Sequence, residues 1–240
     1  YGFNNPDSEW DKKEIEYLLV GDSFTHGACV NRPNDISSVL RDLSNKSVLN
    51  LGMGGNGPLI EYATLREYLD KNVKKVLWIY YEDNDLENLP IEKTNNILMS
   101  YLKDLNFTQN LKFKKNDIDS LLSNVIEEYE RKYVRENEKE ENTFLFKLKK
   151  FIKIYYTRTS ILPATSPAPA TALEFKQILQ LTKELTNKKN SKLYFVYLPK
   201  YNRYKTIYDN TNYTSVKNIV TELKIPFIDI HKEVFEKEQN

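Results

Sequence analysis

The stretch Glu16-Tyr17-Leu18-Leu19-Val20-Gly21-Asp22-Ser23 joins a short apolar run to a polar turn. An apolar run that ends at a glycine predicts a buried strand. The stretch therefore predicts a serine hydroxyl at the carboxyl end of a strand. In open α/β sheets, ligands bind at that edge because the strand ends open into a crevice there. Ser23 is thus a candidate nucleophile, although Gly-Asp-Ser alone is also typical of a polar turn.

Further apolar runs follow along the chain, and stretches with helical spacing separate them. The five predicted strands are Tyr17–Val20, Ser47–Leu51, Val76–Tyr81, Leu193–Leu198 and Ile225–Ile230. Apolar residues recur at helical spacing in three groups. The first group, after Pro33, is Ile36, Val39, Leu40 and Leu43, and the second, after Pro58, is Ile60, Ala63 and Leu69. The third group is Val216, Ile219, Val220 and Leu223. This alternation predicts an α/β fold with a parallel sheet covered by helices on both faces.

The composition predicts one sizeable domain over residues 1–240 and excludes several classes of protein. A chain of 240 residues can bury one substantial core. Its 35 basic and 34 acidic residues give a net charge of +1, which favours no nucleic-acid partner. The single cysteine, Cys29, excludes an internal disulfide and a cysteine-rich metal site. We expect neither a metal nor a cofactor, and no apolar run approaches the length of a membrane span.

The connection between the third and fourth predicted strands is far longer than one covering helix needs. It contains the helical stretch Ile91–Leu105, the charged run Glu127–Glu141, the basic and aromatic segment Phe144–Tyr156, the connector Pro163–Ala170 and the helical stretch Glu174–Lys188. We interpret residues 88–190 as a helical insertion that forms a lid or an interaction surface. Residues 144–156 would suit contact with a membrane surface or a protein, and packing on their own domain is the alternative.

Three short signals occur in order, each after a predicted strand: Gly21–Gly27, Asn50–Gly57 and Glu82–Asp85. Acyl transfer to a serine requires hydrogen-bond donors aimed at the oxyanion that forms on the carbonyl. A glycine N–H suits this role because it leaves room for substrate, and an asparagine amide donates without carrying charge. The three signals would therefore bring a nucleophile and its oxyanion donors to one edge of the sheet.

The same three signals resemble the conserved blocks of the SGNH, or GDSL-type, hydrolase family. The resemblance implies a flavodoxin-like, three-layer α/β/α fold with strands ordered 2-1-3-4-5. It implies that Ser23 is the nucleophile and that Gly55 and Asn84 are oxyanion donors. Glu82 stands where the third block of the family has glycine, which puts the geometry of that loop in question.

The resemblance also implies a function. It implies a serine-dependent esterase or O-acyltransferase that works through an acyl-enzyme on a small ester or an acylated glycan. The lead-in Tyr1–Pro6 is similar to that of bacterial envelope members of the family, which implies a location in the envelope or periplasm. Because the chain starts without methionine and ends soon after an apolar run, we expect it to be a piece cropped from a longer protein.

A serine nucleophile requires a base, usually a histidine that a third group orients. The chain has two histidines. His26 follows Ser23 by three residues, where the two could face one another on a helix, but a polar position on a first helical turn is the favoured interpretation. His231 and Asp229 resemble the family's Asp-x-x-His block with one residue too few. The predicted strand order puts them about 14 Å from the first strand, too far for a hydrogen bond. We therefore expect the base beyond residue 240, with His231 as the second candidate.

Two other functions stay open at this point. A non-catalytic binding or assembly module would keep the SGNH-like fold and pocket without a base. A nucleotide-binding domain would use the glycine-rich run from Gly52 to Gly57 as a phosphate loop, but this run matches neither the dinucleotide fingerprint nor the P-loop.

Overall fold

A computed structural model describes residues 2–70, 72–140, 169–204 and 209–237. Its five strands form one parallel sheet in the order β2-β1-β3-β4-β5. The strands are β1 Ile15–Gly21, β2 Val48–Asn50, β3 Val73–Tyr81, β4 Lys192–Leu198 and β5 Phe227–Asp229. The predicted α/β class and the five-stranded parallel sheet are confirmed.

Helices occupy the connections between strands. They are α1 Asp7–Trp10, α2 Ser23–His26, α3 Ile36–Ser44, α4 Pro58–Tyr68, α5 Asp85–Glu92, α6 Asn96–Lys103, α7 Lys115–Glu140, α8 Pro169–Lys188 and α9 Thr211–Glu222. Single turns of 3-10 helix cover Leu111–Phe113 and Tyr201–Tyr204, and a π-helical turn covers His231–Phe235. None of the helices in the described ranges is long and apolar enough to cross a membrane.

The core lies along the central strands because parallel strands covered by helices are apolar on both faces. Leu18, Leu19 and Val20 of β1 have no solvent exposure. Aromatic residues fill the space between β3, β4 and α8. The ring of Tyr80 stacks on Phe195, with centroids 5.5 Å apart, and lies beside Phe175 at 5.7 Å. Such ring pairs add to the free energy gained from burying the aromatic surface.

The chain divides into two compact units, Tyr1–Gln109 with Ser166–Asn240, and Asn110–Thr165. The first unit contains the whole sheet, together with α5, α6 and α8. In the second unit, the described residues form the turn Leu111–Phe113 and α7. The interpreted insertion 88–190 is therefore divided between the two units. The segment 144–156 and the connector up to residue 168 lie outside the described residues.

The N-terminal lead-in completes the edge of the sheet beside β2. The Asn5 amide donates to the Asn50 carbonyl at 2.7 Å, and its Oδ1 accepts the Asn50 N–H at 2.8 Å. These two bonds take the place of a neighbouring strand. The Glu9 carboxylate accepts the Val48 N–H in the same way, at 3.1 Å. The lead-in thus satisfies backbone groups that an open sheet edge would otherwise leave unpaired.

Helix α3 differs from the expectation of its apolar spacing. Ile36, Val39 and Leu43 are 37%, 42% and 80% exposed, and only Leu40 of that group packs against the core. The inward face carries Arg41 instead, whose guanidinium donates to the Val48 carbonyl at 2.9 and 3.0 Å and to Asn5 at 3.0 Å. The inward face of α3 is therefore polar, and the apolar stripe faces outward.

Substitutions on the two faces of α3 test this orientation. We expect Arg41→Ala to lower the free energy of unfolding by about 2 kcal/mol, because it removes charge-assisted hydrogen bonds and leaves the Val48 carbonyl short of a donor. The matched change Leu43→Gln should alter it by less than about 0.5 kcal/mol, as is usual for surface positions. Urea denaturation measures both values. A larger loss for Leu43→Gln than for Arg41→Ala would contradict the orientation.

Candidate active site

Ser23 lies directly after β1, at the carboxyl edge of the sheet. Because β2 and β3 flank β1, the three sequence signals follow the ends of three adjacent strands. Ser23 is the first residue of the short helix α2, and it is half-buried. The expected position of the hydroxyl at a strand end is therefore observed.

Asp22 connects Ser23 to the third signal. Asp22 has no solvent exposure, and its carboxylate accepts the Phe24 N–H at 2.9 Å and the Ser23 hydroxyl at 3.4 Å. Burial raises the pKa of Asp22, and the interactions of its carboxylate with Phe24, Ser23 and Asn84 oppose the rise. One buried carboxylate thus interacts with the side chains of both Ser23 and Asn84.

The glycine-rich loop after β2 approaches Ser23 from the other side. The Asn50 side chain secures it, because its amide donates to the Thr25 carbonyl at 2.6 Å and its Oδ1 accepts the Gly52 N–H at 2.8 Å. Gly52 allows no side chain, since a Cβ there would lie 2.6 Å from the backbone nitrogen of His26. A Cβ on Gly54 would lie 3.7 Å from the Cβ of Ser23, an ordinary contact distance.

Gly55 has the conformation that a backbone donor in an open loop requires. Its φ is +84°, a left-handed value that favours glycine, and no heavy atom lies within 4 Å of a Cβ placed on it. Gly55 is also exposed. Gly55 therefore presents open backbone, and its role as an oxyanion donor stays a prediction.

Glu92 joins the glycine-rich loop to the helix that follows Asn84. Its carboxylate accepts the N–H groups of Gly57 at 2.7 Å and Leu59 at 2.9 Å, which are free donors at the start of α4. Gly57 itself offers no side-chain cap. Glu92 ends α5, and Asn84 is the residue before that helix. This contact sets the position of the Gly55 loop relative to Asn84.

Glu82, which departs from the family pattern, has a structural partner. It is buried and forms a bidentate ion pair with Arg203, whose Nε lies 2.9 Å from Glu82 Oε2 and whose Nη2 contacts Oε1. The Lys200 N–H donates to Oε2 at 3.0 Å. Burial alone would raise the pKa of Glu82, but the bonds from Arg203, Tyr197 and Lys200 outweigh it and hold the pKa below the ordinary value. Glu82 thus anchors the segment after β4.

Neither histidine contacts Ser23. His26 Nδ1 lies 3.1 Å from the Gly52 carbonyl and therefore donates to it, which secures the glycine-rich loop. His231 Nδ1 lies 2.7 Å from the Tyr204 hydroxyl, and Nε2 lies 3.2 Å from a Glu236 carboxylate oxygen. Burial and the nearby Arg203 lower the pKa of His231. The imidazole is accordingly engaged at both nitrogens on the far side of β4.

Asp229 does not orient His231. Its carboxylate accepts the Tyr213 hydroxyl at 2.5 Å and the Lys232 N–H at 3.2 Å, and it lies 3.5 Å from Lys217 Nζ. Because β5 is three strands away from β1, Asp229 and Ser23 stand at separate ends of the sheet edge. The structure thus brings Ser23, the Gly55 loop and Asn84 together, and it leaves Asp229 and His231 apart from them.

A cluster of buried carboxyls lies beneath these residues. Glu61 and Asp85 have no solvent exposure and no ion-pair partner among the described residues. Burial raises the pKa of both groups well above their ordinary values, and the charges of Asp22 and Glu92 add to the rise. Within the described ranges, no group of three or more acidic, His or Cys side chains could hold a metal ion.

The residues that sequence reasoning missed are those that position the site. Asp22 was part of the first signal, but its link to Asn84 depends on tertiary structure. One indirect indication of the role of Glu92 is present in the sequence. The helix that begins at Pro58 follows Gly57, which has no side chain to cap it, so that its first N–H groups need an acceptor from elsewhere in the chain. Arg203 left no signal that we can identify in the sequence.

The fold and site define an α/β protein with a serine at the carboxyl edge of its parallel sheet. No family model matches the chain, and no curated protein matches it. Two solved structures are similar to it at 9% sequence identity. A mutant of the esterase AlinE4 has a TM-score of 0.43, with 95% of this chain and 84% of that chain covered. A protein from Lactobacillus plantarum has a TM-score of 0.41, with 92% and 79% covered. Similarity at this level carries no argument about function.

The carboxyl cluster predicts a dependence of stability on pH. Because the pKa of Glu61 is higher in the folded than in the unfolded chain, the folded state binds the proton more tightly. Its stabilising contribution is complete below the unfolded pKa and is lost as the pH rises towards the folded one, at about 1.4 kcal/mol per pH unit. Glu61→Gln should therefore flatten the fall in the free energy of unfolding between pH 5 and 8.

Urea denaturation at pH 5, 6, 7 and 8 measures this slope. Glu87→Gln is the matched control, since Glu87 is an exposed residue of α5. We expect the control to keep the slope of the unmodified protein. Equal slopes for Glu61→Gln and the unmodified protein would show that Glu61 does not titrate as proposed.

Proposed function

We propose that the chain is a serine-dependent esterase or O-acyltransferase that acts on ester-linked acyl groups of carbohydrate. One observation carries the proposal: the Asp22 carboxylate accepts the Ser23 hydroxyl and interacts with the Asn84 side chain, while Gly54 of the glycine-rich loop lies next to Ser23. A nucleophile and two types of oxyanion donor thereby share one small region of the sheet edge, which is what acyl transfer requires.

In the proposed mechanism, Ser23 Oγ forms a bond to the carbonyl carbon and its proton passes to a base. The carbonyl oxygen becomes an oxyanion, which the N–H groups of Ser23 and Gly55 and the Asn84 amide stabilise. Collapse breaks the bond to the alcohol, which leaves with the proton from the base. Water or a sugar hydroxyl then attacks the acyl-Ser23 ester by the same steps in reverse. Hydrolysis and transfer differ only in this acceptor.

The base is the open part of the mechanism. Both histidines of the chain have ring contacts elsewhere, with Gly52 in one case and with Tyr204 and Glu236 in the other. We propose a histidine outside residues 1–240 as the base. His231 is the second candidate, which would first have to leave Tyr204. A location in the bacterial envelope, and a membrane or protein contact through residues 144–156, stay predictions from the resemblance and the composition.

A specific observation also favours a second function. Because no histidine contacts Ser23 in the described structure, a non-catalytic module that binds esters or glycans at the same edge would need no change to this geometry. The two functions differ in the reactivity of Ser23, which can be measured directly.

Labelling with a fluorophosphonate probe tests the nucleophile in the full-length protein. We expect Ser23 to displace fluoride and become labelled, and Ser23→Ala to abolish the label. Ser120→Ala, at an exposed serine of α7, should label like the unmodified protein. His231→Gln should also label normally if the base lies elsewhere. Full-length protein that takes up no label would favour the binding module.

Hydrolysis of ethyl acetate tests the oxyanion donor. We expect Asn84→Ala to lower kcat by about 100-fold or more with little change in KM, because the amide acts on charge that develops only in the transition state. Asn96→Ala, at an exposed asparagine of α6, is the control and should keep the full kcat. A change confined to KM would assign Asn84 to substrate binding instead.

A further inference from the structure

An aromatic pair joins the segment of the nucleophile to that of the proposed oxyanion donor. Phe24 follows Ser23 directly, and its ring packs tilted on that of Tyr81, with centroids 4.0 Å apart and an interplanar angle of 33°. Tyr81 ends β3 and precedes Asn84 by three residues. Phe24 remains 42% exposed, although a phenylalanine on a small helix would normally be buried. One face of its ring is covered by Tyr81, so the exposed surface belongs to the rest of the ring.

Tyr81 supports the ring of Phe24. Its backbone N–H donates to Asp85 Oδ2 at 2.8 Å, and the residue is half-buried. Burial, together with the nearby charges of Asp83 and Asp22, raises the pKa of Tyr81 to about 12, so that its hydroxyl stays protonated. Phe24 therefore packs on a half-buried ring while the rest of its own surface stays exposed.

The surroundings of this surface are polar. Asp83 is exposed, and its Oδ1 lies 3.1 Å from Lys200 Nζ. On α5, Glu87 is exposed and Asn88 is half-buried. The loop on the other side consists of Gly54, Gly55 and their neighbours and offers no large exposed apolar side chain. A long acyl chain needs a continuous apolar groove, which a single ring in a polar rim does not provide.

A single aromatic face in a polar rim suits a sugar ring. A pyranose carries C–H bonds on its faces and hydroxyls around its edge, and the negative π face of an aromatic ring attracts the weakly positive C–H bonds. We propose that Phe24, supported by Tyr81, is the specificity-determining platform on which a sugar ring of the acylated substrate stacks. The inference rests on the proposed function and extends it by naming the residue that binds the alcohol part of the ester.

Binding to the full-length Ser23→Ala protein tests the platform without catalysis. The probes are xylotetraose, cellotetraose and chitotetraose, with affinity measured by calorimetry. For the tetrasaccharide that binds best, we expect a further Phe24→Leu change to weaken binding about tenfold. Phe24→Tyr keeps the ring face and should bind within twofold. Phe113→Leu, at an exposed phenylalanine outside the site, is the matched control and should have no effect.

Turnover separates the platform from the proposed function. Phe24→Leu should raise KM for an acetylated tetrasaccharide by a larger factor than it raises KM for ethyl acetate. A loss that appears only with ethyl octanoate would assign the ring to the acyl chain and overturn the platform. The platform would also be overturned if the fluorophosphonate probe labels Ser23 but the protein binds none of the tetrasaccharides. Equal tetrasaccharide affinities of Phe24→Leu and Phe24→Tyr would overturn it as well. A further outcome is that Phe24→Leu loses tetrasaccharide binding while the fluorophosphonate probe fails to label Ser23. That outcome would support the platform and overturn the proposed esterase.

Discussion

The candidate site depends on the burial of one carboxylate, that of Asp22. A carboxylate removed from water must be offered donors, since an unpartnered buried charge would cost several kcal/mol. The donors it receives are the Phe24 N–H and the Ser23 hydroxyl, and its interaction with the Asn84 side chain lowers its pKa further. The burial of Asp22 therefore involves both of the side chains that we propose for catalysis.

A second set of polar contacts positions the backbone donor. Asn50 bonds α2 and the start of the glycine-rich loop, and Glu92 bonds the end of that loop. Asn50 bonds backbone groups at the end of the edge strand β2, and Glu92 bonds backbone N–H groups at the start of α4, which has no side-chain cap. Because these contacts come from β2 and α5, the loop that carries Gly55 cannot move independently of Ser23 and Asn84. The proposed oxyanion site is in this sense preorganised.

Polar anchors also override apolar spacing in this protein. In α3, the inward face carries the charged hydrogen bonds of Arg41, while Ile36, Val39 and Leu43 stay exposed. Glu82 illustrates the same principle at the site. Glu82 stands where the third block of the resembled family has glycine, and here it is buried and paired with Arg203. This ion pair anchors the segment after β4.

The sequence by itself determined the order and type of the strands, because short apolar runs between amphipathic helices have few alternative arrangements. It also determined that Ser23, Gly55 and Asn84 belong to one edge, since parallel strands end on the same side. Only the tertiary structure decided which face of α3 is buried, how Asp22 joins Ser23 to Asn84, and that His231 bonds Tyr204 and Glu236 rather than the nucleophile. These features depend on contacts between residues that are distant in sequence. A local sequence pattern cannot indicate them, because it carries no information on the free energies of such contacts.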